Sequence, residues 1–495
     1  MSTDLASTFF SKGAATFSPQ QTQAKTLAQA PVPQADVERK EQMGKAWDAY
    51  VGKFADPLET GKGEINKNVK PNKCAPIVKK GVSFLFNETL KIETQEQDFT
   101  NGVWGDDDEK MTMLAKIGTN GGVFGQVFLK LIPAQGDMDS PRIVNLDPRI
   151  VRIVSDPEDC DLHLAYVIEY PKTSDMEKRQ IIARVDANSD LSITGDYDLE
   201  DSWTITNYTK KGTASYWSQV GEVEDWPYPF APIFTWQNLP CPNESWGEAD
   251  LTDDIIHMNK VLNFTMSNIS AILYWHAHPK TWGKGFKASQ MSVAVNETLV
   301  IEAPDGTLQN LEMHSDLASS RNFPEDVMAR MNEQSRIPGI ALGTNEPKGN
   351  ISGIALKQYY QPILEKTTLK QRTYGKGIRE VTRAALVVGG KLAATAYEDY
   401  EVKLHWQPIL PTDDLAAAQE ALILKQIGVS QDTIMSGLGL DPDDEAKKSA
   451  DEDQKKMVAY SRGQGMPPMQ PAPLGQGPQQ PMPGQSQQQG GMRQP

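Results

Sequence analysis

Along residues 249–275, ADLTDDIIHMNKVLNFTMSNISAILYW, apolar side chains recur at 255, 258, 262, 266, 269 and 273. Steps of three and four put them on one stripe of an α-helix. Asp253 and Asp254 suit its first turn, where the helix dipole favours negative charge, and Pro279 ends it. The helix is predicted over about 252–276, roughly 36 Å at ~1.5 Å per residue. A second long stripe, over 353–388, carries Leu356, Tyr360, Ile363, Thr367, Tyr374, Ile378 and Val381. Pro362 should kink it, and Gly375 with Gly377 should weaken its middle. Between the two, helical pattern returns at 317–336, with Pro324 best suited to a first turn ahead of Glu325 and Asp326.

Shorter helices are predicted at about 107–117, 412–427, 431–437 and 442–459. Gly428 closes the first of the last three, Ser430 caps the second, and Asp441–Pro442 opens the third. Strand character dominates VFGQVFLKLIP, RIVNLDPRIVRIVSD, HLAYVIEY, DSWTITNYTK and ASYWSQV, with turns at Asp147–Pro148 and Asp156–Pro157. Residues 75–240 thus read as a mixed α/β region, and SVAVNETLVIEAPDG as a short β-like insert between two helices. Residues 1–35, rich in Ala, Gln, Ser, Thr and Pro, read as a mobile tail. The Gln/Pro/Gly/Met-rich stretch from Gly463 has too little apolar surface to offset its chain entropy, which predicts disorder.

At 495 residues there is room for two or three domains. A net charge of −16 excludes a basic domain that grips DNA by neutralising phosphates; an acidic surface would let nucleic acid slide. Cys74, Cys160 and Cys241 are far apart with no CxxC spacing, which fits a reducing compartment and neither a disulfide framework nor a structural zinc site. The N-terminus lacks a signal-peptide pattern, and no apolar run approaches the ~20 residues that cross a bilayer. The chain is therefore expected to be intracellular, or assembled there.

Candidate chemistry thins out on inspection. The Gly-Lys pairs at 52, 61, 283, 375 and 390 are each followed by a residue other than Ser or Thr, so none forms a Walker loop. GTNGGVFG at 118–125 has glycines but no lysine, and is placed ahead of a strand rather than a helix. His276 and His278 would face different sides of a helix, and the other histidines (163, 257, 314, 405) show no motif spacing. The acidic runs 106–109 and 441–445 read as solvated helix starts, and no GxSxG elbow supports a hydrolase triad. DWPYPFAPIFTWQNLP has no basic residue between Asp225 and Pro240, so it reads as packing against a sheet rather than a base-stacking surface. In PGIALGTNEPKGNISGIALK, Ser352 is placed as a helix N-cap, and Gly343, Gly349 and Gly353 let a loop turn between two helices. No enzyme signature survives, and neither cofactor nor metal is called for.

Three strings in order, PIFTWQNLPCPNESWGEADLTDDIIHMNKVLNFTMSNIS, ISGIALKQYYQPILEK and VKLHWQPILPTDDLAAAQEALILKQIGVSQDTIMSGLGLDPDDE, resemble the portal proteins of tailed bacteriophages, the Gp6-like head–tail connectors. The resemblance covers about residues 75–460. It implies an α+β, mainly helical portal fold. That fold has a flexible tail (1–39), an α/β wing (40–248), a stem helix (249–278), a small α/β clip (279–314) and a second stem helix (315–337). A tunnel loop (338–352), a long kinked wing helix with a return strand (353–411), a helical crown (412–460) and a disordered tail (461–495) follow. Pro324 departs from the pattern and implies a short second stem helix, or one that begins with a separate turn. The composition after Gly463 implies that the extended crown barrel of some portals is absent.

The resemblance further implies a homo-oligomeric ring, twelve-fold in the virion, at a single capsid vertex, assembled in the host cytoplasm. Double-stranded DNA would be pumped through its channel by the terminase, retained, and later ejected. Other implied partners are the major capsid protein, head–tail adaptor or tail proteins, and scaffolding protein. The DNA-facing tunnel loop would be Gly343, Thr344, Asn345, Glu346, Pro347, Lys348, Gly349 and Asn350; the clip would present Lys280, Trp282, Lys284 and Lys287 to the adaptor. An acidic subunit repeated round a ring would set an electronegative wall about the DNA. The alternatives are another structural virion protein (a head-completion adaptor or minor capsid protein) and, less favoured without a phosphate loop, a packaging enzyme.

Overall fold

The computed structural model describes residues 19–86, 89–134, 140–173, 176–186, 199–212, 214–277, 281–284, 305, 307–310, 317–343, 353–407, 421–437, 445–450 and 454–455. The chain divides into two compact units, Met1–Ile409 and Leu410–Pro495.

The larger unit holds eight helices among the described residues: α1 Pro19–Gln29, α2 Gln34–Tyr50, α3 Cys74–Leu85, α4 Gln97–Trp104, α5 Asp107–Phe124, α6 Asp253–Ala277, α7 Leu317–Ser335 and α8 Gly353–Val388. Its strands make two main sheets. β2 (Gln126–Ile132) lies between β3 (Arg142–Asn145) and β9 (Ile233–Gln237), all antiparallel. The second sheet is an antiparallel meander of β4 (Val151–Ser155), β5 (His163–Thr173), β6 (Met176–Asp186), β7 (Leu199–Lys211) and β8 (Ser218–Trp226). Two small pairs complete it: β1 (Lys91–Glu93) with β12 (Lys403–His405), and β10 (Thr281–Lys284) with β11 (Thr307–Asn310). The predicted insert between α6 and α7 is thus a β pair at its described ends; SVAVNETLVIEAPDG, residues 292–306, lies almost wholly outside the described residues.

The core follows the patterns that predicted these elements. β2 reads Val127, Phe128, Leu129 and Leu131 fully buried, as a central strand covered on both faces must be. α5 and α8 lie against this small sheet, and α8 sends Ile363, Tyr374, Ile378 and Val381 inward. The aromatic segment packs as expected: Trp226, Phe230, Phe234 and Trp236 are buried, with the Phe230 ring 4.7 Å from Tyr397. α6 and α7 pair antiparallel, since Gln334 Nε2 near the end of α7 donates to Asp254 Oδ2 at the start of α6, 3.0 Å away.

Three expectations are corrected. The tail predicted over 1–39 instead contains α1 and the start of α2. Ala24 and Ala28 let α1 sit close on Ala165, Val167, Ile181, Ala183 and Tyr208 of the meander, and Arg179 Nη1 donates to the Ala28 carbonyl at 2.5 Å. Small residues read as featureless composition are here the contact surface. Second, the helix predicted over about 107–117 runs on through GTNGG to Phe124; the chain turns at Gly125 (φ 81°) into β2, the strand placed after these glycines. Third, Pro324 lies inside α7 rather than at its first turn; the helix runs from Leu317 through it to Ser335.

In the smaller unit, residues 421–426 are helical and Gly428 closes them in the left-handed conformation (φ 87°), accepting the predicted C-terminal role. The Ser430 hydroxyl accepts from the Thr433 N–H at 3.3 Å and so caps Gln431–Gly437, as the sequence suggests. Residues 445–450 are helical as well.

Candidate functional site: a buried junction beside the loop

Of the residues picked out from sequence, few lie in described structure. Gly343 follows the 3-10 turn Gly339–Leu342 with φ 71°, a left-handed conformation that glycine adopts without strain. Residues 344–350 and the predicted cap Ser352 lie outside the described residues. Trp282 and Lys284 stand exposed on β10, opposite Gln309 and Thr307 of β11. Lys280 and Lys287 lie outside. Among the described residues, no group of three or more His, Cys, Asp or Glu side chains is gathered to hold a metal. No helix there is long and apolar enough to cross a membrane.

What the pattern did not reveal is the junction that fixes the helices flanking the loop. Asp250, just before α6, is fully buried. Its Oδ1 lies 3.0 Å from Lys366 Nζ and its Oδ2 2.6 Å from Lys370 Nζ, both lysines being buried one turn apart on α8. Lys366 Nζ also donates to the Ser335 carbonyl at 3.0 Å, at the C-terminal end of α7, where the carbonyls carry the negative end of the helix dipole. One turn beyond Lys370, the Tyr374 hydroxyl donates to Asn238 Oδ1 at 2.9 Å, and Asn238 Nδ2 donates to the Glu248 carbonyl at 3.1 Å. The Asp250 N–H itself donates to the Gly122 carbonyl at 2.8 Å.

Burial alone would raise the Asp250 carboxyl, but Lys366 and Lys370 outweigh it and hold the group well below the usual carboxylate range. Burial lowers Lys370, with Asp250 opposing and Lys366 adding to the drop. Burial, then the Asp250 charge, drives the Tyr374 hydroxyl well above its ordinary value, so it stays a neutral donor. A carboxylate between two lysines is thus held ionised in a buried site, with Asn238 Nδ2 3.4 Å from its Oδ1.

The glycines of GTNGG belong to this junction rather than to a phosphate. A Cβ on Gly121 would overlap the Tyr374 hydroxyl, and one on Gly122 would lie 2.9 Å from Asp250 Oδ2. These two residues give α5 a bare face against which the ion pair and the tyrosine close. The legible signal was on α8: Lys366, Lys370 and Tyr374 recur at steps of four on the face that buries Ile363 and Ile378, where unpaired lysines would not be tolerated.

The junction therefore pins the end of α7, the start of α6 and the middle of α8 at one point. Between Ser335 and Lys366 the chain makes the excursion 336–352 and returns through the first turns of α8. From Gly353 to Lys366 the helix rises about 20 Å, and Leu356, Tyr359 and Gln361 along it are exposed. Tyr360 already stacks on Phe84 at 5.9 Å and Ile363 is buried, so the helix enters the core before it reaches Lys366.

The sequence matches the phage portal protein family, SPP1 Gp6-like, over residues 30–458. The chain belongs to that family. It is accordingly a phage portal-class, structural head protein. A chain from the virion of a native gene transfer agent particle is similar in structure, with a TM-score of 0.44 and 12% identity over 86% of this portal-family chain and 99% of that one. No curated protein matches it.

Proposed function

We propose that this portal-family protein assembles as a closed ring, of twelve copies in the virion, at one vertex of the capsid. Through its channel the terminase drives double-stranded DNA inward, and through it the genome later leaves. The observation that supports this most is the family match over 30–458, which spans the helix–β pair–helix–loop–helix order of 253–388. On this reading α6 and α7 are the stem, and β10 with β11 the clip, where Lys280, Trp282, Lys284 and Lys287 meet an adaptor or tail protein. Residues 343–350 form the tunnel loop that touches DNA, α8 is the wing helix, and 412–460 is the crown. The wing, 40–248, contains both main sheets and meets capsid or scaffolding protein.

A chain of net charge −16 suits a channel wall along which DNA must slide rather than stick. The junction suits it too, because a loop that contacts moving DNA needs a frame that does not move. Native mass spectrometry and negative-stain microscopy of the purified protein test the reading. Closed rings of about a dozen copies with a central hole are expected; a stable monomer or dimer at high concentration overturns it.

A further inference from the structure

Between the meander, β9 and the second half of α8 lies a cleft of about 460 Å³ that the junction does not use. That volume falls within the range of ligand-binding pockets, about 300–1,000 Å³. Its walls are aromatic: Tyr166, Trp203, Phe230, Phe234, Trp236 and Tyr397 line it, with Tyr166 stacked on Trp203 at 6.0 Å. Two carboxylates share the space, Asp161 exposed at the rim and Glu380 deeper, on α8.

Glu380 is only half-buried, its side chain 34% exposed, and its charge is loosely compensated. Burial raises its carboxyl above the ordinary value, against the pull of Lys376, Arg383 and Arg379. Its ion pair is with Lys376 at 3.9 Å, and that side chain is 77% exposed. Arg383 is committed elsewhere, its Nε donating to the Tyr400 carbonyl at 2.7 Å. His163 is no cation here either: burial lowers its ring below the ordinary value, and Nδ1 shares a hydrogen bond with the Tyr166 hydroxyl at 2.8 Å. Glu380 lines the cleft together with Tyr166 and Tyr397, and its charge, second to burial, raises both hydroxyls. In that wall the buried Trp236 Nε1 has no hydrogen-bond partner.

We propose that this cleft receives an arginine side chain from a peptide segment of a partner protein. A guanidinium is planar, weakly hydrated and always charged, so it can lie on aromatic faces while its fork reaches a carboxylate. Lysine, more strongly hydrated and pointlike, gains less from the same walls. DNA is repelled by the two carboxylates. Exposed Lys376 swings aside to yield Glu380.

The test is isothermal titration of the purified full-length protein with a blocked Ala-Arg-Ala peptide and its Ala-Gln-Ala counterpart. Saturable binding of the arginine peptide alone is expected, weakened about tenfold by Glu380→Gln, the scale of one lost partly buried ion pair, and less by Asp161→Asn. Should Glu380→Gln fail to fold, Asp161→Asn at the exposed rim carries the comparison. No saturable binding, equal binding of the glutamine peptide, or an affinity that neither variant moves overturns the proposal. Ring size measured on the same sample is a separate readout, so a failed ring leaves the binding result standing.

Discussion

Asp250 shows how one buried residue can set the geometry of three helices. Two ammonium groups from α8 and the Asn238 amide from the segment after β9 converge on its carboxylate. Removing the carboxylate leaves two lysines buried without their counter-ion, the costly direction in which to break such a site. Asp250→Ala is expected to lower stability by ~3–5 kcal/mol, read from urea denaturation of the full chain; Lys366→Met, which leaves the Asp250–Lys370 pair in place, costs less. A smaller loss in the aspartate variant than in the lysine variant would show that the junction is not organised about the carboxylate.

The same residue predicts a pH dependence. Its folded value is depressed below the unfolded one, about 3.9, so its stabilisation is fully present above that pH. It is lost as pH falls through the lower folded value. Asp250→Asn removes this contribution. The melting temperature of the wild type should therefore fall more steeply than that of the variant as pH is lowered from about 4. Parallel curves would assign acid unfolding to other carboxylates.

Among the elements, periodicity was a good guide wherever one face meets one neighbour. α6, α7 and α8 stand within a residue of their predicted bounds, because a stripe of apolar residues states both the type and the extent of such a helix. It failed where packing rests on small residues. Ala24 and Ala28 of α1, and Gly121 and Gly122 of α5, carry no hydrophobic signal, yet each marks a close approach that only the tertiary partner explains. The lysines of the junction were legible as charges on a buried stripe, whereas Asp250 and Asn238, more than a hundred residues away in sequence, were not.

Gly121→Ala measures this directly. Its methyl meets the Tyr374 hydroxyl, and overpacking of this kind costs about 1–3 kcal/mol. Combining it with Tyr374→Phe, which removes the oxygen it strikes, should cost less than the sum of the two single changes. Strict additivity in that cycle would show that the glycine answers to something other than the tyrosine.

At the scale of the whole molecule, Lys366 joins two helices that are adjacent in the chain order, α7 and α8. It does so through the Ser335 carbonyl at the last turn of α7, and it also pairs with Asp250. N-terminal to Lys366 on α8, Leu356, Lys357, Gln358 and Tyr359 are exposed. On the proposed reading, a DNA contact at 343–350 can be altered without disturbing the packing that forms the subunit. Deletion of residues 345–349 is expected to leave both the melting temperature and the ring seen by native mass spectrometry unchanged. DNA packaging or retention in assembled heads, measured as nuclease-protected DNA, should fall. Lys366→Met should instead lower stability and ring yield together, since it loosens the frame. If the loop deletion prevents rings from forming, the segment holds subunits together and does not serve as a contact for passing DNA.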